Sequence, residues 1–137
     1  LLRVSQRDVS GVVVGRLGAG ACTGGGMVTR LFQSGVGGLQ VLDGGDWFDA
    51  EAVDTTIVVD TGNLMERWTN GRIKSTLHKV QPRTGQRSRS SIAMFVDPDT
   101  ETPVEVLKSC IDDAHPAQYE KITAGEHIQQ KIQATHL

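Results

Sequence analysis

The sequence predicts an all-β fold with a single helix at its carboxyl end. Valine is the commonest aliphatic residue with 15 copies, whereas aromatic residues make up only 4 % of the 137 residues. β-Branched side chains favour strands, and the 16 glycines indicate many turns. Short strand-like runs follow one another at a spacing typical of a sandwich or an open barrel rather than of alternating strands and helices.

Strand signals are frequent in the first half of the chain. Residues 12–14 form a short valine run of the buried type, and residues 37–42 alternate apolar with polar side chains. The Asp-Gly-Gly-Asp sequence at 43–46 predicts a hairpin turn into a strand at 47–49. Residues 55–60, with β-branched residues at their centre, predict a central strand.

Two more turns and two more strands are predicted between residues 70 and 96. Asn70 and Gly71 form the strongest hairpin signal, because a type I′ turn needs two residues that tolerate positive φ. This turn is expected to lead into an alternating strand at 72–80, which carries His78. A turn at 82–86 and a strand at 89–96 follow.

The tail predicts a helix from about residue 124. Thr123 and Glu126 have the spacing of a capping box, in which each side chain bonds a free backbone donor at a helix start. Ile128 and Ile132 lie four residues apart and predict the buried face of this helix.

Composition excludes several classes of protein. The net charge of −2 argues against a dedicated nucleic-acid binder, and no apolar run reaches the length of a membrane span. Two cysteines are too few for a disulfide scaffold. The sequence therefore predicts a soluble, cytoplasmic protein with no nucleic-acid or membrane partner, and it leaves the oligomeric state open.

Charge is unevenly spread along the chain. Six acidic residues and no basic residue lie at 43–60, whereas seven basic residues and no acidic residue lie at 67–89. The basic stretch has two interpretations, a solvated sheet face or an anion pocket near the strands of His78 and Arg89. Both interpretations hold together if they concern different residues.

Several blocks in one order resemble a known family. They are Val-Gly-Gly-Leu-Gln-Val at 36–41, Asn-Leu-Met-Glu-Arg-Trp-Thr-Asn-Gly-Arg at 63–72 and Lys-Ser-Thr-Leu-His-Lys-Val at 74–80. Two further segments are Arg-Ser-Ser-Ile at 89–92 and Phe-Val-Asp-Pro-Asp at 95–99. The sequence resembles the iron(II)/2-oxoglutarate-dependent oxygenases of the isopenicillin N synthase-like type. The resemblance implies a double-stranded β-helix, a jelly-roll or cupin-like core. It also implies Fe(II) as cofactor and 2-oxoglutarate as co-substrate.

The resemblance assigns roles to three residues that match the family pattern. His78 matches the distal histidine of a facial triad, in which two histidines and one carboxylate bind Fe(II) and leave three positions open. Arg89 and Ser91 match the Arg-x-Ser pair that holds the far carboxylate of 2-oxoglutarate. Residues two apart share one face of a strand, and a guanidinium binds a carboxylate through two parallel hydrogen bonds.

The sequence departs from the family at the proximal ligands. Cys22 stands where the resemblance places the second histidine, and Gly24 stands where it places the carboxylate. A thiolate is a softer metal ligand than an imidazole, and glycine offers no side-chain ligand. This pattern predicts Cys22 as a replacement metal ligand. Position 24 is degenerate, because Gly24 cannot supply the carboxylate ligand of the family. No catalytic residue is predicted beyond the metal ligands.

Two functions are compatible with these residues. The first is an iron/2-oxoglutarate-dependent dioxygenase that oxidises a small organic molecule with 2-oxoglutarate and O₂. The second is a catalytically silent relative that binds 2-oxoglutarate or another small dicarboxylate without redox chemistry. We expect the oxygenase-like core at residues 1–100, a carboxyl-terminal extension at 101–137, and no counterpart of the family's amino-terminal domain.

Overall fold

Strands dominate the fold of the chain. A computed structural model describes residues 2–7, 19–81 and 89–135, so the predicted strand at 12–14 and turn at 82–86 lie outside the described residues. The described strands are β1 (Leu2–Arg7), β2 (Ala19–Cys22), β3 (Val28–Gln33), β4 (Leu39–Asp43), β5 (Asp46–Ala50), β6 (Val58–Thr61), β7 (His78–Val80), β8 (Arg89–Val96), β9 (Pro103–Val104) and β10 (Ile122–Thr123). Helix α1 spans Asn63–Trp68, helix α2 spans Ala124–Thr135, and Lys108–Cys110 form a 3₁₀ turn.

These strands form two larger sheets and one small one within the described residues. One four-stranded sheet has the order β1-β8-β3-β6, and the other has the order β2-β7-β4-β5. Strands β9 and β10 form a separate antiparallel pair. The pairs β1/β8, β2/β7, β4/β7 and β4/β5 are antiparallel. The sheet order therefore brings together strands that are distant in sequence, such as β2 and β7.

The hairpin predicted at 43–46 is present. Strands β4 and β5 pair from Leu39 with Ala50 to Asp43 with Asp46. Gly44 and Gly45 form the turn at φ values of 57° and 96°. Glycine adopts positive φ without a steric penalty, which is why these two residues allow the reversal.

The hairpin predicted at Asn70 and Gly71 is wrong. Both residues have positive φ, 52° and 77°, but they follow helix α1 and end it. Residues 63–68 are mostly good helix formers, and asparagine and glycine are the residues that tolerate the left-handed conformation after a helix. The strand predicted at 72–80 consequently shrinks to β7, His78–Val80.

The chain divides into two compact units. The first consists of Leu1–Thr23, Arg30–Asp60 and Thr76–Met94, and the second of Gly24–Thr29, Thr61–Ser75 and Phe95–Leu137. The core of the second unit is Leu64, Val104 and Ala124, which are at most 1 % exposed. The division into residues 1–100 and 101–137 stays a prediction.

Helix α2 begins where the sequence predicts, but its buried face differs from the predicted one. Oγ1 of Thr123 accepts from the backbone N–H of Glu126 at 3.2 Å, and Oε2 of Glu126 accepts from the backbone N–H of Thr123 at 2.9 Å. The capping box is therefore confirmed. The predicted apolar face is only half right, because Ile128 packs on the core whereas Ile132 is 52 % exposed. His127, 5 % exposed, is buried on this helix.

Candidate active site

Cys22 and His78 lie side by side in the first unit. They are direct partners in the antiparallel pairing of β2 with β7, although 56 residues separate them in sequence. Sγ of Cys22 lies 3.8 Å from Nε2 of His78, within hydrogen-bonding distance for sulfur. Cys22 is exposed and His78 is half-buried. Sheet pairing thus brings together the two residues that the resemblance predicts as metal ligands.

The other ring nitrogen of His78 faces a carboxylate. Oδ2 of Asp60 lies 3.4 Å from Nδ1, and the carbonyl oxygen of Thr76 lies 3.2 Å from the same nitrogen. Both neighbours of Nδ1 are acceptors, so Nδ1 carries a proton and Nε2 is left for Cys22. Asp60, His78 and Cys22 therefore form a row of carboxylate, imidazole and thiol.

These three side chains shift one another's pKa values. The hydrogen bond with Cys22 raises the pKa of His78 above its ordinary value, against the effect of burial, and the charge of Asp60 raises it further. The same hydrogen bond lowers the pKa of Cys22, although burial opposes this shift. Burial raises the pKa of Asp60, and the charge of His78 partly offsets that effect. These shifts favour an imidazolium beside a thiolate.

The donor set does not fit a facial triad for Fe(II). Such a triad needs three donors that converge on one face of the metal. Asp60 and Cys22 lie on different nitrogens of the His78 ring, and Gly24 contributes no side chain. Within the described residues, no group of three His, Cys, Asp or Glu side chains could hold a metal ion. The metal-ligand roles of His78 and Cys22 stay predictions.

Arg89 and Ser91 form a second polar pair in the first unit. Both start strand β8 and are buried, with 9 % and 8 % of their surface exposed, whereas Ser90 between them is exposed. Nη1 of Arg89 donates to Oγ of Ser91 at 3.2 Å. The sequence predicted this shared face from the strand alternation, and the structure confirms it.

Two further groups fix the Arg89 side chain. Nε donates to the carbonyl oxygen of Gly37 at 2.8 Å, and Nη2 donates to Oε1 of Gln33 at 3.4 Å. The chain turns at Gly37, where φ is 71°. The guanidinium is thus held by the end of β3 and the turn that follows it. The structure pairs Cys22 with His78 and Arg89 with Ser91.

The described residues of the basic stretch at 67–89 differ in exposure. Arg72 and Lys74 have side chains that are 53 % and 74 % exposed and make long ion pairs. Arg89, in contrast, is buried. The solvated interpretation therefore suits the exposed residues, whereas the anion-pocket interpretation suits Arg89.

Sequence reasoning missed Asp60 and Gln33. Asp60 ends an apolar run, Ile57 to Val59, and Gln33 ends strand β3. A polar residue at the end of a strand is common and does not indicate a site by itself. Only the sheet order, which sets β3 beside β8, and the fold of the first unit show what these residues contact.

Comparison with known proteins identifies the family. The sequence model of the 2OG-Fe(II) oxygenase superfamily matches residues 5–98. The chain belongs to this family. A 2-oxoglutarate-Fe(II) type oxidoreductase of Aspergillus fumigatus is 34 % identical over 121 residues, which cover 87 % of this chain and 36 % of that protein. A 2-oxoglutarate-Fe(II) type oxidoreductase of Emericella nidulans is 37 % identical over 113 residues, 81 % of this chain and 32 % of the relative.

Solved structures of this oxygenase family have the same fold. The dioxygenase for auxin oxidation of rice superposes with a TM-score of 0.89 at 27 % identity, and the match covers 98 % of this chain and 46 % of that one. The predicted jelly-roll core with a carboxyl-terminal helix is therefore confirmed. The chain spans less than half the length of these relatives.

Membership of the 2OG-Fe(II) oxygenase superfamily supports a dioxygenase-type function. Fe(II) and 2-oxoglutarate are the family's cofactor and co-substrate, and its members act on small molecules. Among the helices of the described residues, none is long and apolar enough to cross a membrane.

Proposed function

We propose that this chain is the 2-oxoglutarate-binding core of a dioxygenase-type oxidoreductase. The reaction oxidises a small organic molecule with 2-oxoglutarate and O₂ as co-substrates. The observation that carries the proposal is the buried, bonded pair of Arg89 and Ser91. Because the chain spans less than half of its relatives' length, both the activity and the substrate of the whole protein belong to this proposal.

Arg89 supplies the charge that a dicarboxylate needs. Its guanidinium is held by Gly37 and Ser91 before any ligand binds, so little side-chain freedom is lost on binding. A charge-assisted hydrogen bond in a buried site is stronger than the same bond in water. The hydroxyl of Ser91 adds a further donor beside the guanidinium.

Calorimetric titration with 2-oxoglutarate tests the binding role. We expect Arg89→Ala to weaken binding by about 10- to 150-fold, the loss that removing one hydrogen bond to a charged group produces. Ser91→Ala keeps the buried charge and should weaken binding by a smaller factor. The matched control is Arg72→Ala, which removes an arginine with an exposed side chain and should bind 2-oxoglutarate like the wild type.

Thermal unfolding of each variant shows whether weaker binding comes from the missing side chain or from an unfolded protein. If Arg89→Ala does not fold, Ser91→Ala still tests the pair. Wild-type affinity for 2-oxoglutarate in both folded variants would end the binding proposal.

A second candidate function is a catalytically silent protein that binds 2-oxoglutarate or another small dicarboxylate. It is favoured by the thiol at position 22, by Gly24, and by the separation of Asp60 and Cys22 on two nitrogens of His78. Succinate formation from 2-oxoglutarate, with Fe(II) and ascorbate, distinguishes the two functions. Metal-dependent turnover by the wild-type chain supports the oxygenase, and binding without turnover supports the silent protein.

The remaining features of the proposal concern location and partners. A cytoplasmic protein without nucleic-acid or membrane partners fits the negative net charge and the scarcity of aromatic residues. We also propose residues 1–100 as the oxygenase-like core and 101–137 as a carboxyl-terminal extension. Cell fractionation with an antibody against the chain tests the location.

A further inference from the structure

A glutamine with a buried amide nitrogen lies beside the Arg89 and Ser91 pair. Gln33 ends β3, the neighbour of β8 in the sheet, and its Oε1 accepts from Nη2 of Arg89 at 3.4 Å. Within the described residues, Nε2 of Gln33 is buried and has no hydrogen-bond partner. Gln33 therefore presents an unsatisfied donor next to a buried cation.

Strand alternation places the three polar groups on one face of the sheet. Phe32 on β3 and Ile92 on β8 are 41 % and 40 % exposed, so they mark the outer face. Gln33, Arg89 and Ser91 are each one position away from an exposed residue and are more buried. The amide, the guanidinium and the hydroxyl consequently share the inner face.

An unpaired buried N–H is costly. Leaving such a donor without an acceptor costs about 1–3 kcal/mol, and folded proteins rarely retain one without a reason. A carboxylate has only acceptors and accepts several hydrogen bonds at once. A carboxylate therefore satisfies an amide N–H, a hydroxyl and a guanidinium together.

We propose that Gln33 is a third donor to the carboxylate held by Arg89 and Ser91, and that it makes the site selective for 2-oxo diacids over 2-oxo monoacids. This inference rests on the proposed function and names a specificity residue of the same site. Gln33 acts through both ends of its amide. Oε1 orients Arg89, and Nε2 donates to the ligand.

The test compares two ligands that differ only in the terminal carboxylate, 2-oxoglutarate and 2-oxopentanoate. We expect Gln33→Leu to weaken 2-oxoglutarate binding by about 10-fold or more, the effect of one hydrogen bond to a charged group, and to leave 2-oxopentanoate binding unchanged. Gln33→Glu keeps an acceptor for Arg89 but sets a negative charge against the ligand. It should therefore lose more affinity for 2-oxoglutarate than Gln33→Leu does.

Gln40→Leu is the matched control, because the amide of Gln40 lies on β4 and donates to Asp49 at 3.1 Å. It should bind both ligands like the wild type. Equal losses for both ligands in Gln33→Leu would mean a merely structural role and would overturn the inference, as would wild-type affinity for 2-oxoglutarate in Gln33→Glu.

The failures of the two proposals are distinguishable. If Arg89→Ala and Ser91→Ala both fold and bind 2-oxoglutarate like the wild type, the proposed function itself is wrong. If Arg89→Ala loses affinity while both Gln33 variants keep it, only the role of Gln33 is wrong. The melting temperature of each variant shows whether its fold is intact.

Discussion

The carboxylate of Asp60 lies 3.4 Å from Nδ1 of His78, on the other side of the ring from Cys22. A carboxylate in this position fixes the tautomer and the orientation of an imidazole. It also favours the charged ring, because the negative charge is close and both groups are half-buried. Asp60 therefore holds the His78 ring so that its Nε2 faces the side chain of residue 22.

The first prediction is that Asp60→Asn lowers the pKa of His78, because it removes the charge that favours the imidazolium. Cys22→Ala should lower this pKa by more, since the hydrogen bond with Cys22 is the largest cause of the upward shift. The measurement is an NMR titration of the His78 ring.

Glu51→Gln is the control for Asp60→Asn, because it removes an exposed carboxylate from the same unit. It should leave the His78 titration where it is in the wild type. An unchanged titration in Asp60→Asn would show that the carboxylate and the imidazole do not interact in solution.

Local sequence signals predicted the elements that depend on near neighbours. Strand β8 and the turn at Gly44 and Gly45 need only alternation and glycine, and the cap at Thr123 needs only a partner three residues away. Asn70 and Gly71 gave the same local signal for a hairpin and for a helix end, because both structures require positive φ. What precedes them decided the outcome, since residues 63–68 form a helix.

The candidate site was predicted only in part. The sequence segments that resemble the family pattern indicated His78, Arg89 and Ser91, and strand alternation placed the last two on one face. Asp60 and Gln33 could not be found in this way, because their contacts lie 18 and 56 residues away and depend on sheet order. Their residue types carry no signal until the strands are paired.

The second prediction concerns pH and the second unit. Burial lowers the pKa of His127, and the charges of Arg67 on α1 and Lys131 on α2 lower it further, whereas a bond with the backbone of Gly25 raises it. The folded chain therefore binds this proton less readily than the unfolded chain. We expect the contribution of His127 to the free energy of unfolding to be highest above about pH 6.5 and to fall as the pH decreases toward the folded pKa.

Urea unfolding at a series of pH values between about 7 and 5 measures this effect, and His127→Gln should remove part of the slope. The comparison uses slopes, so a general loss of stability in the variant does not affect it. Identical slopes in the two proteins would contradict the assignment to His127.

The third prediction is that Gly62→Ala destabilises the chain by about 1–3 kcal/mol, the usual effect of overpacking. A Cβ at this position would collide with the carbonyl oxygen of Gly26 and would lie 2.9 Å from that of Gly24. Both atoms are backbone acceptors for the first turn of α1, so they cannot move without breaking its cap. Urea unfolding measures the loss. Gly20→Ala, whose Cβ meets no atom within 4 Å, is the control and should lose far less.

The fourth prediction is that Thr123→Ala lowers the free energy of unfolding by about 1 kcal/mol, the typical value of a helix amino-terminal cap. The variant loses the acceptor for the backbone N–H of Glu126 and the bond from its hydroxyl to that carboxylate, 2.8 Å long. Thr123→Ser keeps the hydroxyl and should remain close to the wild type in the same urea titration. Equal stability of the alanine and serine variants would mean that the cap contributes nothing measurable.

The last prediction concerns iron. It separates the two candidate functions: in the silent protein, one imidazole and one thiol do not complete a facial triad, so the wild-type chain should bind Fe(II) weakly and form little succinate from 2-oxoglutarate, whereas the proposed oxygenase forms succinate. The family pattern places a histidine at 22 and a carboxylate at 24, so Cys22→His together with Gly24→Asp should raise both metal affinity and succinate formation. Each change alone should do less. Among the described glycines, those with positive φ do not include Gly24, so its φ does not require a glycine.

The matched control is Cys22→His with Gly20→Asp, which adds the same two side chains but sets the carboxylate on the other side of position 22. Calorimetry with Fe(II) under anaerobic conditions measures affinity apart from turnover. Because the control keeps the new histidine without a carboxylate at 24, we expect it to bind metal no better than Cys22→His alone. Strong, metal-dependent turnover by the wild type would mean that the chain binds iron through ligands other than this pattern. No gain in the double variant over its control would mean that position 24 does not reach the metal.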